Sequence, residues 1–223
     1  MWAKNGLLAG RLHFKTTGHI IWPMARTADK TDIPKRLAEA GYTLFTRLGY
    51  NATGIQQITD QAGVPKGSFY NHFESKEAFA AVIIRNYAEW VGAAWDTCVK
   101  DAPARPEDDP MAVMQYIFSR FVQHHEQAVC PGCLVGNFAA EVAESSPMCR
   151  AVLDSAMNDW RTRLGQLIKL AQSKGQVRAD CDAMQLSAFF WDAWEGALLR
   201  MKIEHTSQPL KDTVELMLGH FFR

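Results

Sequence analysis

No stretch of about 18 apolar residues occurs in this 223-residue chain, which excludes a membrane-spanning helix. Net charge is also missing. The 24 Lys and Arg balance 24 Asp and Glu, so there is neither a uniformly basic nucleic-acid coat nor an acidic tail. Cysteine is sparse and odd in number, at five. The apolar runs near the N-terminus, residues 7–9 and 20–22, are too short for a secretory leader. A disulfide framework is therefore not expected, and a reducing, cytoplasmic setting is. Strand-like alternation, internal repeats and low-complexity tracts are absent as well, which argues against a β-rich or solenoid fold. What remains is an ordinary globular composition, 48% hydrophobic and 22% charged, and not a disordered one.

The charge balance hides a split. Residues 1–80 hold ten basic and six acidic side chains, a net of +4, whereas residues 81–223 hold 14 and 18, a net of −4. A basic part joined to an acidic part hints at nucleic-acid contact by the former. Lys4, Arg11 and Lys15 lie ahead of the first periodic sequence, and without residues 1–23 the excess falls to +1. Residues 1–23 are expected to be a leader with no fold role, Met24 opening the folded chain. The rival reading is a basic arm that enters a DNA groove.

From residue 31 the apolar positions Ile33, Leu37, Ala40, Leu44, Phe45 and Leu48 recur at spacings of three and four, the period of a helix. Asp32 is the expected N-cap, with Pro34 in the first turn, and Gly49 is expected as a left-handed cap. Thr53-x-x-Gln56 has capping-box spacing and predicts a helix over 54–62. Ala62-Gly63-Val64-Pro65 then makes a tight turn into a helix over 65–71. Two short helices joined by a glycine-containing turn form a helix-turn-helix candidate. Ser75 caps a long helix over 76–99. Further helical patterns cover 111–127, 134–143, 148–173, 183–204 and 211–222, separated by Pro-, Gly- and Ser-containing breaks. The chain reads as all-α with about nine helices. It divides into a head over 24–79 and a larger body over 80–223.

In a helix-turn-helix the first turn of the second helix faces the bases. Here that turn offers Lys66, Gly67 and Ser68. Gly67 removes a side chain where a backbone must approach DNA, and Ser68 can bond a phosphate or a base edge. Tyr70, Asn71 and His72 reach phosphates or flanking bases. Thr53, and Lys76 with the free N–H groups of its helix, offer phosphate contacts. Within 66–72 only Phe69 reads as an anchor.

These residues carry a resemblance. Leu44-Phe45, Gly49-Tyr50, Thr53, Ile58, Ala62-Gly63-Val64, Lys66-Gly67-Ser68, Tyr70, His72-Phe73 and Ser75-Lys76-Glu77 resemble the DNA-binding domain of the TetR family of bacterial repressors, across about 50 residues. The resemblance implies a homodimer on a palindromic double-stranded operator and a C-terminal helical domain that binds a small inducer. No enzymatic activity is expected. The last two helices are the expected dimer surface, through stripes at Leu186, Phe190, Ala193, Ala197 and Met201 and at Val214, Leu218, Phe221 and Phe222. Phe189, Trp191 and Trp194 make the first of these helices apolar nearly all round.

The other informative segment is Cys130-Pro131-Gly132-Cys133. Zinc is one reading, but a structural site needs four ligands, and His124 and His125 are adjacent and diverge on a helix. A thioredoxin-like redox site expects a βαβ setting, which is not visible. The cysteines also fit as small buried hydrophobes, the role given to Cys98, Cys149 and Cys181. The sharper reading is a sensor. Cys133 stands at the expected start of the 134–143 helix, where the dipole lowers a thiol's pKa, and a thiolate adds to an electron-poor alkene. Residues 133–143 resemble a TetR subgroup that responds to electrophiles, such as N-ethylmaleimide, and to unsaturated acids, such as acrylate. The resemblance puts Cys133 in the position of that subgroup's cysteine. Around it, Arg120, His124, His125, Asn137 and the indoles of Trp191 and Trp194 are candidate donors to a carboxylate. Tyr87, Trp90, Phe118 and Phe121 are candidate walls, and Glu195 is an unusual acid on an apolar helix. No metal or cofactor is expected.

Overall fold

The computed structural model describes residues 32–127 and 132–223. The expected leader, the Met24 start and Cys130 lie outside these residues. Helix α1 (Ile33–Leu48) begins where Asp32 accepts the Lys35 N–H at 3.1 Å. It stops at Gly49, whose φ of +84° meets the expectation of a positive-φ residue. Its ψ of 171° is extended, however, and not left-handed helical. A Cβ there would run into the Glu141 carboxylate, so glycine is needed on two counts.

Helix α2 (Ile55–Ala62) starts one position later than the capping box predicted. Thr53 is unavailable as a cap because its hydroxyl is donated back to Gly49 O at 2.7 Å. Instead Gln57 accepts the Gly54 N–H at 2.7 Å. Gly63 adopts the left-handed conformation (φ 64°, ψ 39°) that ends α2. Arg36 from α1 donates to Ala62 O at 2.5 Å and to Gly63 O at 3.0 Å, which fixes the turn. Helix α3 is short (Lys66–Tyr70). Helix α4 (Lys76–Asp101) starts at Ser75, whose Oγ accepts the Ala78 N–H at 3.0 Å. Phe45, Ile58, Phe69 and Phe79, each fully buried, form the core of the head. Gly41 lets the Phe79 ring lie directly on the α1 backbone.

The body contains α5 (Pro110–Gln127), α6 (Leu134–Val142), α7 (Pro147–Ser173), α8 (Ala183–Glu204) and α9 (Gln208–Leu216). Among the described residues the fold is all-α with nine α-helices, as expected. The last helix begins earlier than the 211 start expected, because Pro209 suits a first turn. It ends in a π-helical turn, Met217–Phe221. There the Phe222 N–H reaches Met217 O, five residues back, at 2.9 Å, and Phe222 is fully buried. Helix α7 is the spine of the body, packed against α4, α5, α6 and α8.

The expected dimer stripes need correction. Leu186, Phe190, Ala197, Met201, Leu218 and Phe222 are all buried within the protomer, because these helices close over the aromatic core. The exposed apolar face is a different one. It comprises Phe189, Leu199 and Ile203 on α8 with Phe221 against Phe189, Ile203 is 78% exposed, and Leu216 at the end of α9 is exposed as well. The Phe189 and Phe221 rings meet in a tilted pair with centroids 5.3 Å apart. Of the expected stripes, Phe221 alone is strongly exposed.

Candidate functional site

The head presents one polar surface. Lys66, Gly67, Tyr70, Asn71 and His72 are exposed, and Ser68 is half-buried. Phe69 is fully buried, tilted against Phe73 and edge-on to Phe79, at centroid distances of 5.5 and 5.2 Å. This anchor fixes the orientation of a helix too short to be stable alone. A Cβ at Gly67 would meet no atom of the protein within 4 Å, so nothing in the protomer itself requires glycine there. Lys76 is half-buried, with its ammonium 4.1 Å from the centre of the Tyr50 ring. Thr53 does not join this surface. It is 1% exposed and its hydroxyl is committed to Gly49.

The body encloses a cavity between α4, α5, α7 and α8, with the start of α6 at its edge. Tyr87, Trp90, Phe121, His124, His125, Cys133, Trp191, Trp194 and Glu195 line it as expected, together with Val91, Ala94, Trp160 and Leu198. The free volume is about 40 Å³, enough for a ligand of few atoms and not for a drug-sized one. Trp160 is the residue the sequence did not single out. It lies on α7, one of the regular apolar positions of a long helix, and nothing in its spacing separates it from packing. Its ring is 5.6 Å from Trp191. The indole N–H groups of Trp160 and Trp191 are buried with no acceptor.

Three of the expected residues are not in the lining. Arg120 turns along its own helix and donates to Gln123 Oε1 at 2.5 Å. The Asn137 carbonyl accepts from Lys202 Nζ at 2.8 Å. Phe118 lies behind the wall, packed on Phe190 at 4.2 Å. The lining therefore contains no Lys or Arg. Burial, with His124 adjacent, pushes the His125 pKa down to about 3, so this imidazole is neutral.

Cys133 is the N-cap of α6, and its sulfur accepts the Gly136 N–H at 3.5 Å. The position is the one expected, but the thiol is not acidified there. Burial, followed by the charge of Glu195, raises its pKa well above the ordinary value. The Gly136 N–H works in the other direction and does not prevail. The thiol is 6% exposed, and desolvation of a thiolate outweighs one helix terminus. Burial also raises the Glu195 carboxyl.

The comparisons with known proteins decide the family. Residues 37–83 match the model of bacterial regulatory proteins of the tetR family, and residues 110–217 match that of the tetracyclin repressor-like C-terminal domain. The chain is 34% identical to the HTH-type transcriptional repressor DhaR of Mycobacterium sp. strain GP1 over 181 residues, 81% of this chain and 88% of that one. The chain belongs to the TetR family. It is also 33% identical to the transcriptional regulator AcuR of Cereibacter sphaeroides, over 83% of each chain. The crystal structure of regulatory protein TetR from Rhodobacter sphaeroides superposes with a TM-score of 0.72 at 32% identity, covering 83% of this chain and 97% of that one. The relatives are transcriptional regulators, not enzymes, which sets aside the dithiol oxidoreductase reading of Cys130 and Cys133.

In this TetR-family chain a seam joins cavity to head. Helix α6 starts at Cys133 in the cavity wall. Near its other end Phe138 inserts between Phe45 and Tyr50 of the head, at centroid distances of 5.2 and 5.8 Å. One residue before its end, Glu141 accepts the Asn51 N–H at 2.8 Å. Beside it, Ser146 at the start of α7 hydrogen-bonds Glu77 of α4. The eight residues from Cys133 to Glu141 span about 12 Å of helix. Helix α4, which starts in the head and carries Tyr87 and Trp90 into the cavity wall, is one link, and α6 provides a second.

Proposed function

We propose that this TetR-type repressor acts in the cytoplasm as a homodimer on a palindromic operator. A small unsaturated inducer, an acid such as acrylate or another electrophile, enters the Cys133 cavity and releases it. The observation that carries the reading is the position of Cys133. It stands in the wall of a small cavity and at the head of the helix whose far end holds Asn51 and Tyr50 of the DNA-binding head. The resemblance of residues 133–143 to the electrophile- and acrylate-responsive subgroup supports the inducer class, and the small cavity disfavours a multidrug-sized hydrophobe.

In the DNA complex Lys66, Gly67 and Ser68 face the major groove, while Tyr70, Asn71, His72 and Lys76 touch the backbone and flanking bases. The exposed α8–α9 face holds the two protomers together, placing their α3 helices about one DNA turn, roughly 34–36 Å, apart. A ligand that pushes on the start of α6 moves Phe138 and Glu141 against the head and favours a separation that does not fit the operator.

The test begins with selection of bound duplexes from a random pool, followed by release with acrylate, propionate and N-ethylmaleimide for wild type and Cys133→Ser. Enrichment of a palindrome, release by acrylate but not propionate, and loss of N-ethylmaleimide release in Cys133→Ser are expected. Release by propionate as strong as by acrylate would remove the role of the alkene. Unchanged release of the Ser variant by N-ethylmaleimide would remove the role of the thiol.

A further inference from the structure

Glu195 has no task in the reading above, yet it is the acid of the cavity wall. Its carboxylate lies on Gly136, in the first turn of α6, where any Cβ would collide with it. The glycine thereby admits the acid to the N-cap thiol, and Glu195 and Cys133 are hydrogen-bond partners. Tyr87 from α4 bonds the same thiol. His124 and His125 line the same cavity from α5. Lys202, two turns along α8, is the cation whose charge acts on Glu195, and its ammonium is bonded to Asn137. Two further features of the wall lack a partner. These are the indole N–H groups of Trp160 and Trp191, each 3% exposed. A buried donor without an acceptor is costly, and a carbonyl oxygen on a ligand would satisfy it.

We propose that Glu195 is the general base for Cys133, and that the cavity takes uncharged α,β-unsaturated carbonyl compounds in preference to unsaturated carboxylates. This rests on the inducer class proposed above and narrows it. As the sulfur forms its bond to the β-carbon, the thiol proton passes to the Glu195 carboxylate. The C=C electron pair moves toward the carbonyl oxygen, which accepts from an indole N–H. The proton then passes from Glu195 to the α-carbon. The sum is addition of S–H across the double bond, with no oxidant or reductant. A base is needed because the buried thiol stays protonated at neutral pH. An unsaturated carboxylate would place a second negative charge beside Glu195 in a wall with no Lys or Arg.

The experiment follows adduct formation at Cys133 by peptide mass mapping of the full-length protein. Methyl vinyl ketone and acrylate are supplied in parallel across about pH 5 to 9. In the wild type the ketone should react at a level rate through neutral pH. That rate should fall as pH drops through the raised Glu195 titration. Glu195→Gln should cut the neutral rate by about 10²-fold and make it climb in proportion to hydroxide. Glu195→Asp, which keeps a base, should retain the level profile at a reduced rate. Operator binding by the unreacted variants confirms that they are folded. A Gln variant that keeps the wild-type rate and level profile, or reacts faster, overturns the base assignment alone. Acrylate reacting as fast as the ketone overturns the charge selection. Absence of any wild-type adduct at Cys133 overturns both, together with the inducer class.

Discussion

In the head, the side chains with recognition chemistry lie outside the aromatic core. Lys66, Tyr70, Asn71 and His72 are exposed, and of that run Phe69 alone is buried. In the body the order is reversed. Cys133, Tyr87 and Trp191 are buried, Glu195 is half-buried, and the exposed apolar groups, Phe189, Leu199 and Ile203, belong to another surface altogether. The difference follows from the size of the partner. A DNA groove comes to the protein, so the head needs a rigid support behind an open face. A small ligand must be surrounded, so the body closes over it and its polar groups lose water. The same chemical group is therefore tuned differently in the two regions. A cysteine at a helix start would be acidic in the open, and here burial makes it the reverse.

The support behind the open face is the part whose loss should cost most. Phe69→Ala removes a fully buried ring that touches Phe73 and Phe79. We expect a loss of about 3–5 kcal/mol in denaturant unfolding, and the head to melt away from the body. A loss under about 1 kcal/mol would mean that α3 is held by something other than its anchor. Next is the exposed face of the body. Leu199→Glu with Ile203→Glu should yield monomers in sedimentation. Operator affinity should fall by about 10²–10⁴-fold, since two linked heads become two separate ones. Dimers that survive both charges would place the interface elsewhere.

The sequence revealed these two regions unequally, for physical reasons. Every helix of the head was legible because its apolar spacing, Asp32, Gly63 and Ser75 are local signals. The capping box slipped by one residue because Thr53 bonds backward to Gly49, a choice that spacing does not encode. In the body, nine of the twelve expected cavity residues line it. All but Glu195 are aromatic or sulfur-bearing, and they come from α4, α5, α8 and the start of α6. Arg120 and Asn137 were misplaced because each finds a nearer partner, Gln123 and Lys202. The expected dimer stripes proved buried for a more general reason. On a helix apolar nearly all round, periodicity cannot separate the side facing the core from the side facing a second copy.

A weaker contrast lies in how the two regions respond to acid. His125 in the cavity wall is pushed to about pKa 3 by burial and by His124, against about 6.5 in an unfolded chain. Below about pH 6.5 the unfolded state takes up a proton that the folded state refuses. The body should therefore lose about 1 kcal/mol per pH unit as pH falls from there toward the folded value. Denaturant unfolding at stepped pH measures this, and His125→Gln should flatten the slope. An equal slope in that variant would assign the acid sensitivity to another group.

The smallest effect separates the two roles of one residue. Gly67 has open space around its missing Cβ, so Gly67→Ala adds no clash within the protein. Replacing glycine on an exposed helix should stabilise the fold by about 0.5–1 kcal/mol. If the glycine serves close approach of the α3 backbone to DNA, the same methyl group should weaken operator binding. Stability and affinity then move in opposite directions, which no loss of folding can mimic. Anisotropy titration beside thermal melting reads both signs on one sample. A variant that is more stable and binds as well as wild type would show that α3 does not approach DNA through Gly67. The reading face would then have to be turned toward Tyr70 and Asn71.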